Sequence, residues 1–188
     1  MTRKEQIFET SIKLMKEKGY VGTSMRDIAS SMSLEAASLY NHIRGKEDIL
    51  KDNCFNLANK FIDSLNTILS SKEEPLEMLK HFIRNHVNIL VDNMDAAHVF
   101  LYEWKHLSDP HYGRLLSMRD EYERGLKKIL KDGESSNNFE DRSYRMVVIT
   151  ILSSLNAIEQ WYNVDGEMKV DELCDHLTHI LVNGIKEI

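Results

Sequence analysis

Apolar side chains recur three to five positions apart in nearly every stretch of this chain between its turn-forming residues. That period is helical, and no clear strand stands beside it. Ile7, Phe8, Ile12 and Met15 set it on a first helix, expected over about 3–18 and stopped by Gly19 as a left-handed cap. Thr23 and Ser24 offer caps to a short helix over 25–31, whose first turn holds Asp27 where the helix dipole favours a negative charge. A third short helix is expected over about 35–43, ending before Gly45, and a long fourth over about 46–70. Pro75 suits the first turn of a fifth, to residue 91. Four more follow at about 95–107, 110–131, 140–162 and 170–186, separated by polar loops at 108–110, 132–138 and 164–167. Only two Pro and eight Gly in 188 residues oppose this reading. The expected fold is all-α, with about nine helices.

A hydrophobic content of 42% in a chain of this length suffices for a core. Cys54 and Cys174 lie far apart without C-x-x-C spacing, so neither a disulfide framework nor a zinc site is indicated. The first residues lead into an amphipathic helix without an apolar leader, and no uncharged stretch approaches membrane-spanning length. A cytoplasmic protein with no membrane partner is expected.

Two short helices joined by a tight turn, with a longer helix behind, are the parts of a helix-turn-helix. Here they are residues 25–31, the turn Met32-Ser33-Leu34, and 35–43. Ile28, Ala29, Leu34 and Leu39 are placed to hold the short helices against the first, and are core rather than contact residues. Thr23 and Ser24, at a helix N-terminus, are placed to offer hydroxyl and N–H groups to a phosphate. Base reading falls to Glu35, Ala36, Ala37, Ser38 and Asn41 on the N-terminal half of the second helix. Asn pairs bidentately with adenine, and Ala methyls meet thymine methyls.

The run Gly19-Tyr20, Thr23-Ser24, Asp27-Ile28-Ala29, Ser38-Leu39-Tyr40-Asn41-His42-Ile43 and Lys46-Glu47-Asp48-Ile49-Leu50 resembles the N-terminal signature of the TetR family of repressors. The resemblance implies that Tyr40, His42 and Lys46 clamp the phosphate backbone of double-stranded operator DNA. It also implies a helix-turn-helix DNA-binding domain at 1–48 and a helical ligand-binding and dimerisation domain at 49–188. The sequence departs from the family pattern at Ser33 and Ala37, where Gly is usual, and at Glu35, where a Ser or Thr cap is usual.

A formal net charge of −6 opposes DNA binding only until it is divided. Residues 1–46 carry eight Lys or Arg against five acidic residues, and 47–188 carry sixteen against twenty-five. The basic end can face phosphate while the acidic remainder faces away.

The eighth helix is apolar nearly all round, through Met146, Val147, Val148, Ile149, Ile151, Leu152, Leu155, Ile158 and Trp161, so several sides must be covered. The ninth carries Leu173, Leu177, Ile180, Leu181, Gly184 and Ile185 in one stripe. As in the resembled family, these two are expected to form the seam of a homodimer, which would present two recognition helices to two half-sites. The pair Glu103-Trp104, the run Arg119-Asp120-Glu121-Tyr122-Glu123 and the pair Trp161-Tyr162 resemble a subgroup that includes sensors of acyl-CoA thioesters. The expected effector is a small apolar molecule such as an acyl-CoA or fatty acid, which releases the repressor by shifting the helices that the long fourth helix carries. Candidate pocket residues are Phe61, Phe82, His86, Phe100, Trp104, Met118, Arg119, Tyr122, Asn156 and Trp161, with Arg84, Lys105 and Arg124 as further cations for CoA phosphates.

Eight His, with His176 and His179 three apart, leave a metal-binding or catalytic helical bundle as the alternative. Against it, the chain has no G-x-S-x-G, P-loop, Gly-rich dinucleotide turn or H-E-x-x-H. No catalytic residue, metal site or cofactor is expected.

Overall fold

The helical period closes into ten α-helices and one short 3-10 helix in the computed structural model, which describes residues 2–135 and 143–184. They are α1 (Arg3–Gly22), α2 (Met25–Ser31), α3 (Ala36–Leu39), α4 (Lys46–Ser70), α5 (Pro75–Val91), α6 (Met94–Tyr102), a 3-10 turn (Trp104–His106), α7 (His111–Ser135), α8 (Tyr144–Asn156), α9 (Ile158–Trp161) and α10 (Val170–Asn183).

Several boundaries depart from expectation. Gly19 breaks α1 with φ 75° and ψ 163°, a conformation reserved for glycine, but one further turn follows the break. The third helix is regular only from Ala36 to Leu39. Glu35 supplies no side-chain cap, and beyond Leu39 the chain continues in turns, with the His42 N–H bonded to the Leu39 carbonyl at 2.9 Å. The segment expected to be one helix over 95–107 divides at Glu103 into α6 and the 3-10 turn. The loop expected from Asp132 is helical as far as Ser135, where Lys128 pairs with Asp132 one turn on and the Ser135 hydroxyl donates to the Lys131 carbonyl. The expected eighth helix is divided at Ala157 into α8 and α9. Its expected start at Glu140, the loop residues Ser136-Asn137-Asn138, and the end of the last helix at Ile185 and Lys186 lie outside the described residues.

The helices sort into two compact units, the first of residues 1–58 with 93–116 and the second of 59–92 with 117–188. In the first, α1 packs on α6 and α2, and α2 packs on α3. Ile7, Ile12, Met15, Ile28, Ala29, Leu39, Ile49 and Leu50 are buried there. In the second, α5 packs on α10, α8 and α9. Its core gathers Leu65, Phe82, Ile83, Leu126, Ile129, Ile151, Leu155, Leu173 and Leu181. No helix among the described residues is long and apolar enough to cross a membrane.

Candidate DNA-binding surface and buried polar string

The short helices of the first unit are built by local capping. Ser24 accepts the Asp27 N–H at 3.1 Å, and the Asp27 carboxylate accepts the Ser24 N–H at 2.8 Å and its hydroxyl. These hydrogen bonds hold the Asp27 carboxyl below the usual range for aspartate. Thr23 is turned inward instead. It is buried, and its hydroxyl sits 2.9 Å from the Gly19 carbonyl and 3.2 Å from that of Leu14, so its donor is already used inside the protein rather than held out for a phosphate.

With Leu39 buried, the residues around it divide by side. Glu35, Ala37, Tyr40, Asn41 and His42 are exposed, and Ala36 and Ser38 are half-buried. Tyr40 keeps 56% of its surface in solvent, too much for a core aromatic. Arg26 and Arg44 are exposed on the same module. Pattern reading passed over both, although the basic balance of residues 1–46 already contained their charges.

Lys46 has a structural partner set of its own. Its ammonium donates to the carbonyls of Tyr20 at 2.7 Å and Thr23 at 3.0 Å, and lies 4.2 Å from the centre of the Tyr20 ring. It therefore closes the end of α1.

The expected effector residues separate. Phe100, buried, and Trp104, stacked on Tyr112 with ring centres 5.4 Å apart, belong to the first unit. In the second, His86 of α5 is fully enclosed and lies 3.1 Å from the Tyr122 hydroxyl through Nδ1 and 3.2 Å from Oδ1 of Asn156 through Nε2. A carboxamide oxygen can only accept, so Nε2 carries the proton, and Tyr122 donates to Nδ1. Burial pushes the His86 pKa down to about 4 and the Tyr122 hydroxyl well up, so both are neutral at pH 7. Phe61 lies against His86 at 4.7 Å between ring centres, and Phe82 stacks on Tyr122 at 4.9 Å. Five expected residues thus form one string, polar along its axis and aromatic at its sides. Met118 and Arg119 are half-buried about one turn before Tyr122 on α7. Trp161 stands apart, 56% exposed and edge-on to Tyr162.

The helices expected at a dimer seam spend one face on their own core. Val148, Ile151, Leu155 and Ile158 are buried, as are Leu173 and Leu181. Met146 at 70%, Ile149 at 52% and Ile180 at 65% remain exposed on the outer faces of α8 and α10. Beside Ile180, His176 faces Glu172 at 3.6 Å and His179 faces Asn183. Among the described residues no group of three or more His, Cys, Asp or Glu is gathered to hold a metal ion.

Residues 7–52 match the family model described as bacterial regulatory proteins, tetR family, and residues 72–185 match that described as tetracyclin repressor-like, C-terminal domain. The HTH-type transcriptional repressor KstR2 of Mycolicibacterium smegmatis is 22% identical over 99% of this chain and 92% of its own length. The biofilm operon icaADBC HTH-type negative transcriptional regulator IcaR of Staphylococcus epidermidis is 44% identical over a shorter stretch, 33% of this chain and 34% of its own. Among solved structures, KstR2 of Mycobacterium tuberculosis superposes with a TM-score of 0.94 at 20% identity, over 100% of this chain and 96% of that one. AibR in complex with isovaleryl coenzyme A and operator DNA gives 0.83 at 21%, over 96% and 98%. At such identities these two structural likenesses are likenesses of fold.

Proposed function

This chain belongs to the TetR family of bacterial transcriptional regulators, and on that premise we propose that it is a cytoplasmic, homodimeric repressor released from its operator by an acyl thioester. The family's members are DNA-binding regulators and not enzymes. The observation that carries the operator-binding part is the exposure of Tyr40, Asn41, His42 and Arg44 around a buried Leu39, on the basic end of an acidic chain. In this reading residues 1–48 meet DNA, with Asn41 and the exposed face of α3 on base edges and Tyr40, His42, Arg44 and Lys46 on phosphates. Residues 49–188 hold the effector and the dimer seam.

The effector class is drawn from the buried string. A neutral His, a phenol and a carboxamide between two phenyl rings favour an uncharged carbonyl attached to an apolar chain over a free carboxylate, which would be buried beside no matching charge among those three groups. The isovaleryl coenzyme A found in complex with AibR is an acyl thioester, a compound of that chemistry. Met146 and Ile149 of α8 and Ile180 of α10 supply the apolar face of the seam, and α4 is the element through which occupancy would alter the pose of the recognition helices.

Selection of DNA by the purified chain, followed by anisotropy titration of the selected duplex with acyl-CoAs of several chain lengths, free fatty acid and CoA alone, tests the proposal. Release by an acyl-CoA and not by CoA is expected. Tight binding that no acyl-CoA weakens removes the effector and leaves the regulator, and failure to select any DNA removes the operator reading itself.

A further inference from the structure

Gly19 breaks α1 immediately before the turn that delivers the chain to α2, and in isolation such a break is a loose joint. Here it is held from two sides. Glu103, at the end of α6, accepts the Tyr20 N–H on one carboxylate oxygen at 3.1 Å, and the same oxygen lies 3.3 Å from Nε2 of His106. The His106 ring stacks on Tyr20 with centres 5.2 Å apart and planes 16° from parallel, while Lys46 binds the Tyr20 carbonyl. The peptide groups on both sides of Tyr20 are therefore pinned. Its N–H is held by a residue 83 positions away in sequence, and its carbonyl by the first residue of α4.

We infer that Glu103 is a positioning residue for operator binding. It touches no DNA in this scheme, and it fixes the turn that aims α2 and α3. The inference rests on the operator-binding reading above. Freed from Glu103, residues 20–23 would sample several arrangements around Gly19, of which only one presents α3 correctly. Apparent affinity then falls in proportion to the fraction that remains competent. A charge-assisted hydrogen bond to a half-buried partner restrains the joint strongly enough for that fraction to fall about tenfold when it is lost.

The distinguishing variants are Glu103→Ala, which removes the acceptor, and Glu103→Gln, which keeps a carbonyl oxygen for the Tyr20 N–H. Affinity for a duplex selected by the wild-type chain is expected to fall about tenfold for E103A and to stay within about threefold of wild type for E103Q. The salt dependence of binding should keep its slope in both, because no phosphate contact is lost. Amide hydrogen exchange at Tyr20, measured without DNA, should quicken in E103A and not in E103Q. That measurement reads the joint even if the alanine variant is less stable overall. Normal wild-type binding with an unaffected E103A sinks this inference alone. Equal impairment of both variants, or a lowered salt slope, also overturns it, since the first points to charge and the second to a phosphate contact. A wild-type chain that selects no DNA sinks the operator reading and this inference with it, and the exchange result then still reports whether Glu103 holds the turn.

Discussion

A Cβ placed on Gly125 of α7 would lie 2.4 Å from Cδ2 of Leu65 on α4 and 2.9 Å from its Cγ, inside any real contact distance. Leu65 is only 1% exposed and packed in the core of the second unit, so it has no room to turn away. The glycine is there for close approach between two helices, since its helical backbone needs no special conformation.

Gly125→Ala is accordingly expected to destabilise the protein despite the better helix propensity of alanine. The propensity gain is about 1 kcal/mol and forced overpacking costs about 1–3 kcal/mol, which leaves a net loss of about 1 kcal/mol. A lowering of Tm by about 2–4 °C in a thermal melt is the expected reading. The double variant with Leu65→Ala should lose the clash and show a departure from additivity.

Ser33, in the turn between α2 and α3, has φ 54°, the left-handed region that a side chain occupies with strain. Ser33→Gly relieves about 1 kcal/mol of it and should raise Tm by about 2–4 °C. Because the Leu34 N–H already bonds the Ala29 carbonyl at 2.9 Å, the turn keeps its shape, and operator affinity should be unchanged. A fall in Tm would show that the serine side chain contributes something the backbone angle does not reveal.

The contrast between Ser24 and Lys46 marks how far local pattern reaches. Ser24 and Asp27 are three apart, and the capping box they form follows from their spacing alone. The partners of Lys46 and Glu103 lie 26 and 83 residues away, respectively, at Tyr20, so tertiary folding alone brings them together. Helix identity was legible for the same local reason. Ends were less so: Asp132 and Gly133 look like a loop until the pair with Lys128 extends α7. The string of Phe61, Phe82, His86, Tyr122 and Asn156 was legible as a set of residue types on helices. Its hydrogen-bond order, and the absence of Phe100 and Trp104 from its unit, depended on packing.

Within the DNA-binding surface, contacts that position and contacts that specify should separate. Arg44→Ala is expected to weaken binding to all sequences and lower the salt slope by about one, while Asn41→Ala should mainly relax preference at one base pair, by about 1–3 kcal/mol of discrimination. Lys46→Ala should also lower Tm without DNA, because its ammonium closes the end of α1. Selection profiles for the three variants check this, and an Arg44→Ala profile more altered than that of Asn41→Ala would contradict the docking.

His86 makes stability depend on acidity in a predictable direction. Its folded pKa is about 4 against an ordinary 6.5, so between those values the unfolded chain binds the proton and the folded one does not. The contribution is therefore fully present above about pH 6.5 and is lost as pH falls toward 4, up to about 3 kcal/mol in all. Urea midpoints measured from pH 7.5 down to 4.5 should decline through that window. His86→Phe should be less stable at pH 7.5, since Tyr122 and Asn156 each lose a partner, yet its midpoint should decline less between pH 6.5 and 4.5. Parallel curves for the two proteins would falsify the neutral, buried imidazole, and with it the reasoning that matches this string to an uncharged carbonyl.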